Sequence, residues 1–361
     1  KIVIIFQLIQ KPQLRGAEMF AAQLSEELTK NGNQVFLISL FPGSSILPFS
    51  GVHISLNRPI EKRWKDLEGW KELANLIDEY NPEIIQCNAG DTLKFAILSK
   101  KIYKWKTPVI VRNASMVSSY IKSPVTKWLN CFLYKNANLI ISVSNLSAID
   151  LNVLFPFTKS KTKVIPIGID YHQSQNVDFN NSDQSSINVI HVGGFTFEKN
   201  HIGLLKIFKS FLQKKPNAHL HLLGEGPLKN QIHQLAFDLG IESNLSFYGW
   251  VSNPMDYIHK ADVLVLPSII EGLPGVLLEA MINNTIVVAN NVGGIKEIID
   301  HLQTGYLVNA HDEEAFVNAM VKAVSEDNSK IKIKAFELVE KKYLNANIAL
   351  EFQKVYSEII K

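Results

Sequence analysis

The chain has 361 residues, 46% of them hydrophobic and 20% charged, a size that fits two domains of about 150 to 200 residues each. The sequence lacks any run of about 18 uncharged apolar residues, which excludes a membrane-spanning helix, and its two cysteines are too few for a disulfide framework or a cysteine-based zinc site and favour a reducing cytoplasm. The net charge of +3 is unevenly divided: residues 1–170 hold 21 Lys and Arg against 13 Asp and Glu, whereas residues 171–361 hold 16 against 21.

The first half alternates short apolar runs with longer amphipathic stretches, the pattern of βαβ units and a parallel sheet. The apolar runs predict strands at Lys1–Phe6, Gln34–Leu40, Ile84–Cys87, Val109–Val111 and Leu139–Val143. Helical periodicity predicts helices at Ala17–Lys30 and Leu67–Tyr80. The positive charge of this half indicates an anionic partner, such as a membrane surface, a lipid phosphate or nucleic acid, or else only a solvated lysine-rich surface.

A polar segment, His172–Ser186, predicts a linker, after which the second half repeats the scheme. Its predicted strands are Asn188–Val192, Leu220–Leu223, Leu245–Tyr248, Val263–Leu266 and Ile286–Ala289. Its predicted helices are Gly203–Lys214, Pro227–Leu239, Met255–His259, Gly275–Ile282, Ile295–Ile299, Glu314–Ser325 and one long C-terminal helix, Lys330–Ile360.

The stretch Ser268–Met281 follows an apolar strand and carries two glutamates, Glu271 and Glu279, around a Gly-Leu-Pro-Gly turn. Gly272 and Gly275 let the backbone approach a ligand closely, and free N–H groups at the start of the next helix form an anion site. A diphosphate bound there would have Glu271 near a sugar and Glu279 near ribose hydroxyls. On spacing alone, a strand–turn–helix joint with two solvated glutamates stays an alternative.

Several segments, in this order, resemble glycosyltransferase family 4, the retaining enzymes of the GT-B fold. They are His191–Phe195, Glu198–His201, Leu222–Pro227, Phe247–Trp250, Ala261–Ser268, Glu271–Glu279 and Asn291–Gly294. The resemblance is strong over residues 187–310 and loose in the first half. It implies an α/β fold with two Rossmann-like domains facing each other across a cleft. The implied parts are an acceptor domain at 1–170, a linker at 171–186, a nucleotide-sugar domain at 187–340 and a C-terminal helix at 341–361 that packs back toward the first domain.

The resemblance also implies roles for individual residues. Lys199 would hold the donor diphosphate, Glu271 the transferred sugar and Glu279 the ribose. A cation beside a leaving diphosphate stabilises the charge that grows as the glycosidic bond breaks. The other positions expected to bind the donor are Gly16, Gly193, Gly194, Gly272, Leu273, Pro274, Gly275 and Val276.

The sequence departs from the family pattern at three points. Gly194 stands where an arginine is common, so the diphosphate would rest on Lys199 and backbone N–H groups, or on Arg15 or Arg112 from the first half. Arg15 also replaces one of two glycines in the first βα turn. Asn113 follows Arg112 where the family often has a histidine; it is a catalytic candidate that would hydrogen-bond the donor sugar, or else cap a turn.

The sequence has no Asp-x-Asp metal motif, so neither a metal nor another cofactor is expected. The expected activity is retaining transfer of a hexosyl or N-acetylhexosaminyl group from a nucleotide diphosphate sugar, UDP-linked by family frequency, to an acceptor hydroxyl in polysaccharide or glycolipid assembly. Expected partners are the donor, a glycan or lipid-linked acceptor and an anionic membrane touched from the cytoplasm, without nucleic acid. A nucleotide-sugar epimerase and a non-catalytic nucleotide-sugar-binding protein stay open as alternatives.

Overall fold

The computed structural model describes residues 2–171, 177–179 and 186–360. The chain divides into two units: the first contains Lys1–Asp170 and Tyr343–Lys361, and the second contains Tyr171–Lys342. Residues 172–176 and 180–185 of the predicted linker, and Lys1 of the first predicted strand, lie outside the described residues. Each unit is built on its own parallel sheet with helices between the strands, so the chain has a two-unit α/β fold.

The strands and helices are numbered in chain order. The strands are β1 (Ile4–Ile9), β2 (Gln34–Ser39), β3 (Val52–Ser55), β4 (Ile84–Cys87), β5 (Val109–Asn113), β6 (Leu139–Ser142), β7 (Thr162–Val164), β8 (Ile187–Val192), β9 (Ala218–Leu223), β10 (Leu245–Gly249), β11 (Val263–Leu266), β12 (Ile286–Asn290) and β13 (Tyr306–Val308). The helices are α1 (Gly16–Lys30), α2 (Leu67–Tyr80), α3 (Gly90–Tyr103), α4 (Pro124–Asn136), α5 (Asn145–Leu154), α6 (His201–Lys214), α7 (Lys229–Leu239), α8 (Pro254–Lys260), α9 (Gly275–Ile282), α10 (Glu313–Ser325), α11 (Ser329–Lys342) and α12 (Asn345–Ile360).

The sheet of the first unit has the strand order β3-β2-β1-β4-β5-β6-β7, and every pair is parallel. Successive side chains of a strand point to opposite faces, so these strands bury apolar residues on both sides. One face packs against α2, α3 and α4, and α1 packs against both the sheet and α12. The strand order reverses between β1 and β4.

Strand β1 continues to Ile9, whereas the sequence predicts that it ends at Phe6, just before the polar residue Gln7. Gln7 is fully buried in the middle of β1. Its Nε2 donates to Tyr356 Oη on α12 at 3.3 Å, and its Oε1 accepts from Asn88 Nδ2 at 2.9 Å. A buried amide is tolerated when its hydrogen bonds are satisfied, so this polar residue does not interrupt the strand.

The sheet of the second unit has the order β10-β9-β8-β11-β12-β13, again with every pair parallel. The chain moves outward from β8 through β9 to β10, then crosses back to place β11 on the other side of β8. The order therefore reverses between β8 and β11. Helices α6, α7 and α10 cover an apolar core that includes Phe208, Phe211 and Phe316.

Two helix predictions in the second half are wrong. The helix predicted at Ile295–Ile299 is a 3₁₀ helix that spans Gly293–Glu297. The single helix predicted at Lys330–Ile360 is divided into α11 and α12. At the break, Ile169 N donates to Tyr343 O at 2.9 Å and Asn345 N donates to Ile169 O at 3.0 Å, which takes these backbone groups out of the helical pattern. In the described residues, none of the helices combines the length and apolarity needed to cross a bilayer.

Candidate active site

The most informative residues of the second unit lie where its strand order reverses. Strands β8 and β11 are hydrogen-bonded neighbours and run parallel, so both end at the same edge of the sheet. Their following loops leave in opposite directions, because β9 and β12 lie on opposite sides. In open α/β sheets this reversal opens a crevice at the carboxyl ends of the strands, where ligands bind.

The two loops that follow these strands are tied together. Ile269 N donates to Glu198 O at 2.8 Å, and Asn200 Nδ2 donates to Pro267 O at 3.0 Å. Asn200 also adopts the left-handed conformation with φ +54° and accepts from Gly203 N to cap α6. These bonds fix the position of Lys199, which ends a short 3₁₀ helix just before Asn200.

Lys199 and Glu271 form an ion pair with Nζ and Oε1 2.6 Å apart. The Glu271 side chain is 9% exposed, whereas that of Lys199 is 22% exposed. The Glu271 side chain is thus held mostly away from solvent, whereas part of the Lys199 side chain is exposed and accessible to a ligand. The structure brings together the residues predicted to hold the sugar and the diphosphate, although 72 positions separate them.

A third loop, after β12, supports the backbone beside Glu271. Gly294 N donates to Gly272 O at 2.8 Å. Gly293 has φ +52°, and a Cβ at this position would lie 1.8 Å from the carbonyl oxygen of Glu271. Only glycine allows such a close approach in this left-handed conformation. The glycine pair therefore determines where the Glu271 loop lies.

Glycines also bring the β8 loop close to the loop after β9. Gly224 has φ +141°, and a Cβ there would lie 2.1 Å from the carbonyl oxygen of Gly193. Phe195 N donates to Glu225 O at 3.1 Å across the same contact. At Gly194, by contrast, a Cβ would meet Glu225 O at 3.4 Å, an ordinary contact. The structure therefore has room for a Cβ at position 194, where the family commonly has an arginine.

The other predicted donor-binding residues surround the start of α9. Gly272, Leu273 and Pro274 are buried in the loop, and Gly275 and Val276 open the helix. Pro274 occupies the N-cap position and provides no side-chain hydrogen bond there. Backbone N–H groups of the first helical turn lack partners within the helix and can donate to an anion.

Glu279 lies five residues into α9 and is half-buried. Burial raises the pKa of its carboxyl from the usual 4.5 to about 7. Burial makes the charged form of this carboxyl unfavourable in the free protein. Hydroxyl groups that donate hydrogen bonds to the carboxylate would stabilise its charged form. This property fits the predicted contact of Glu279 with ribose.

We expect Glu279→Gln to stabilise the free protein at pH 8 by up to about 3 kcal/mol and to leave its stability at pH 4 nearly unchanged. The native pKa is raised, so Glu279 costs stability progressively as pH rises from about 4.5 through 7, and glutamine has no such cost. Thermal unfolding across this pH range measures the difference. UDP affinity at pH 8 should fall about tenfold. If the unfolding temperatures of the unchanged protein and of Glu279→Gln depend on pH in the same way, the raised pKa of Glu279 is contradicted.

Two histidines near Lys199 had no role assigned from the sequence. His191 and His201 are buried, with ring centres 4.7 Å apart. His191 Nδ1 is 2.8 Å from Val265 O, which makes it the donor, whereas its Nε2 has no hydrogen-bond partner among the described residues. Burial lowers the pKa of His191 to about 4 and that of His201 to about 2. Both rings are neutral at pH 7, so Lys199 provides the positive charge here.

Asn113 and Gly16 belong to the first unit. Gly16 begins α1 and is exposed, with open space where its Cβ would be. Asn113 ends β5 and is buried, and its Nδ2 donates to Ser142 Oγ at 3.1 Å and Ser147 O at 3.2 Å. The amide N–H groups of Asn113 are thus engaged by neighbouring chain segments. A metal-binding group of three or more His, Cys, Asp or Glu is not found in the described parts of either unit.

Comparisons with known proteins identify the family of the chain. Residues 14–173 match the family described as Glycosyltransferase Family 4, and residues 173–341 match Glycosyl transferases group 1. The chain is 26% identical to the uncharacterized glycosyltransferase MJ1607 of Methanocaldococcus jannaschii over 376 residues, 94% of each chain.

A second relative and a solved structure extend the comparison. The chain is 25% identical to N-acetylgalactosamine-N,N'-diacetylbacillosaminyl-diphospho-undecaprenol 4-alpha-N-acetylgalactosaminyltransferase of Campylobacter jejuni over 260 residues, 68% of this chain and 70% of that one. It superposes on Anabaena Alr3699/HepE, solved with UDP and glucose, with a TM-score of 0.82 at 18% identity, covering 99% of this chain and 100% of the other. The chain therefore has the GT-B fold and belongs to glycosyltransferase family 4.

Proposed function

We propose that the protein is a retaining glycosyltransferase that moves a hexosyl or N-acetylhexosaminyl group from a UDP-linked donor to an acceptor hydroxyl in polysaccharide or glycolipid assembly. The observation that carries the proposal is the ion pair of Lys199 and Glu271 at the reversal point of the second sheet. The pair joins two loops. Lys199 belongs to the loop after β8, which contains Gly193 and Gly194, and Glu271 belongs to the loop that leads into α9, the helix that carries Glu279.

Each group has a chemical task in this reaction. Leaving diphosphate oxygens gain negative charge as the sugar–oxygen bond breaks, and the Lys199 ammonium would stabilise that charge. Glu271 would accept hydrogen bonds from hydroxyls of the transferred sugar, and Glu279 from the ribose. Backbone N–H groups at the start of α9 would share the phosphate charge. None of these steps requires a metal ion.

Retention is proposed from the resemblance to the retaining enzymes of glycosyltransferase family 4. In a front-face reaction, a leaving phosphate oxygen takes the acceptor proton while both sugar bonds are long, so a side-chain base is not needed. Asn113 is proposed to reach the donor sugar through its Oδ1, since its Nδ2 is already engaged. UDP as the carrier is supported by the Anabaena structure, which was solved with UDP and glucose.

The proposal is tested with a panel of nucleotide sugars and NMR analysis of the products. A donor that binds the native state raises the unfolding temperature, so thermal shift identifies the nucleotide and the sugar. With that donor and an acceptor glycan, we expect the product to keep the anomeric configuration of the donor. Inverted product would refute retention, and epimerised donor without transfer would refute the transferase assignment.

We also propose that the acceptor is lipid-linked and is met at an anionic membrane. The Campylobacter relative is named for a diphospho-undecaprenol acceptor. From Lys100 to Lys163 this chain has eleven Lys and Arg against one acidic residue, Asp150. On α4 in this region, Val125 and Trp128 are 75% and 70% exposed, and they lie three positions apart on one face. Exposed apolar side chains among cations suit the surface of an anionic bilayer.

Vesicle binding tests this surface. We expect the protein to bind vesicles of phosphatidylglycerol at least about tenfold more strongly than vesicles of phosphatidylcholine at low salt, because each nearby cation contributes about 1 kcal/mol. A Val125→Ser, Trp128→Ser double variant should weaken binding, whereas Val153→Ser, which changes a valine of similar exposure on α5, should not. Equal binding to both vesicle types would remove the membrane from the proposal.

A further inference from the structure

His191 is a buried histidine near the end of β8, where the two central strands of the second unit separate. Within the described residues, the ladder between β8 and β11 ends at the pair Ile190 and Leu264. His191 Nδ1 lies 2.8 Å from Val265 O, so this side chain extends the link between the strands by one residue. The loop that carries Lys199 follows directly after β8.

The hydrogen bond to Val265 fixes which ring nitrogen of His191 carries the proton. A carbonyl oxygen only accepts, so Nδ1 is the donor, and Nε2 of the neutral ring keeps its lone pair. This Nε2 is buried and has no hydrogen-bond partner among the residues that the structure describes. Burial lowers the pKa of His191 to about 4, so the ring is neutral at pH 7. His191 therefore holds an uncharged acceptor nitrogen in a fixed position.

Gly193 brings this nitrogen close to the methylene chain of Lys199. A Cβ built on Gly193 would lie 3.2 Å from His191 Nε2 and 3.4 and 3.5 Å from Cδ and Cε of Lys199. These three atoms thus surround the same small space, which glycine leaves free of side-chain atoms. Methylene groups next to an ammonium share part of its positive charge, so a lone pair beside them attracts the lysine side chain. A protonated imidazole would repel it instead.

Lys199 is thus contacted at two places along its side chain. His191 lies beside the methylene chain, and Glu271 Oε1 lies 2.6 Å from Nζ. A lysine side chain has several rotatable bonds, and fixing them before a ligand binds removes part of the entropy cost of binding. The two contacts together define where the positive charge of this site lies.

We propose that His191 is a positioning residue, whose Nε2 holds the methylene chain of Lys199 so that the ammonium is in place for the donor diphosphate. The inference rests on the proposed function, in which Lys199 binds that diphosphate. His191 touches neither the diphosphate nor the sugar in this arrangement. A displacement of about 1 Å at a catalytic group can lower a rate about 10²-fold, so a residue can affect transfer through Lys199 alone.

A double-mutant cycle of His191→Phe and Lys199→Ala tests the proposal, with UDP affinity measured by calorimetry. Phenylalanine keeps a ring of similar size and removes both nitrogens. With Lys199 present, we expect His191→Phe to weaken UDP binding about threefold to tenfold and to leave uridine binding nearly unchanged. In the Lys199→Ala background, the same change should alter UDP affinity by less than about twofold. His219→Phe, at a half-buried histidine of β9, should leave UDP affinity unchanged in both backgrounds.

Two amide variants separate the role of Nε2 from packing. Glutamine can place its amide oxygen near the position of Nε2, whereas the shorter asparagine reaches only about as far as Nδ1. His191→Gln should therefore retain more UDP affinity and a higher transfer rate than His191→Asn. If His191 serves only to fill space or to bond Val265, the asparagine variant should be at least as active as the glutamine variant.

Gly193→Ala tests the same contact without changing the histidine. Its Cβ would enter the space between His191 Nε2 and the Lys199 side chain, which is the more flexible of the two and should be displaced. We expect UDP affinity to fall several-fold, and this loss too should disappear in the Lys199→Ala background. If His191→Phe does not fold, this variant decides the question by the same cycle.

The outcomes distinguish this inference from the proposed function. If Lys199→Ala leaves UDP affinity unchanged, the diphosphate site proposed for the second unit is wrong. If Lys199→Ala weakens UDP binding, but His191→Phe and Gly193→Ala have the same effect with and without Lys199, the diphosphate site stands. His191 then does not act through Lys199, and the inference is overturned.

Discussion

Lys199→Ala is expected to lower the rate of sugar transfer about 10²- to 10³-fold, the loss typical when one electrostatic stabiliser of a leaving group is removed. Lys199 Nζ lies 2.6 Å from Glu271 Oε1, and the Lys199 side chain is 22% exposed, so a ligand can contact it. UDP affinity should fall more than uridine affinity, because only UDP carries the diphosphate. Steady-state kinetics and calorimetry with the two ligands measure these effects.

Two further variants separate charge from folding in this experiment. Lys206→Ala removes an exposed lysine of α6, seven positions along the chain, and should retain normal transfer. Glu271→Gln should reduce transfer but leave UDP affinity nearly intact, because Glu271 is assigned to the sugar. If Lys199→Ala transfers sugar at the normal rate, or binds UDP as the unchanged protein does, the diphosphate lies elsewhere.

The local parts of this site could be predicted from the sequence. The apolar run of β11, the glycine-rich turn and the helix α9 are adjacent in the chain, and their residue types predict a strand, a loop and a helix. Strand β11 and helix α9 have the bounds that the pattern predicts. What spacing could not predict is that Lys199 meets Glu271, since a crossover through β9 and β10 separates them. That pairing was implied only by the resemblance to the family.

Several elements outside the site gave no periodic signal. Strand β3 lies at the edge of its sheet, and its residues are mostly exposed, so it lacks the apolar run of a central strand. Strand β7 has only three residues, one of them Lys163. Helix α4 buries Leu133 and Tyr134 but leaves the apolar Val125 and Trp128 exposed, so its apolar residues do not all face the sheet. Elements such as these are stabilised by their position in the sheet or beside it rather than by their own pattern.

The break between α11 and α12 shows a second limit of local reasoning. Both helices have good helical patterns, and the sequence between them contains no proline or glycine. The interruption at Tyr343 is caused by hydrogen bonds with Ile169, a residue more than 170 positions earlier in the chain. Gln7 is a similar case, because its partner Tyr356 is 349 positions away. Such partners exist only once the sheet of the first unit has formed.

Gly293→Ala is expected to destabilise the second unit by more than about 3 kcal/mol and to abolish detectable UDP binding. Alanine at φ +52° is strained by about 1 kcal/mol, and its Cβ would also lie 1.8 Å from the backbone oxygen of Glu271. A backbone atom cannot rotate away as a side chain can, so the Glu271 loop must move. That movement would separate Glu271 from Lys199. Thermal unfolding and calorimetry with UDP measure both losses.

Gly240→Ala separates conformational strain from this collision. Gly240 follows α7 with φ +66°, and an added Cβ there would have no atom within 4 Å. It should cost only the strain of about 1 kcal/mol and leave UDP binding unchanged. The difference between the two variants then measures how strongly the loop after β12 holds Glu271 in place. If both variants lose the same stability and both bind UDP, the close approach at Gly293 does not position the site.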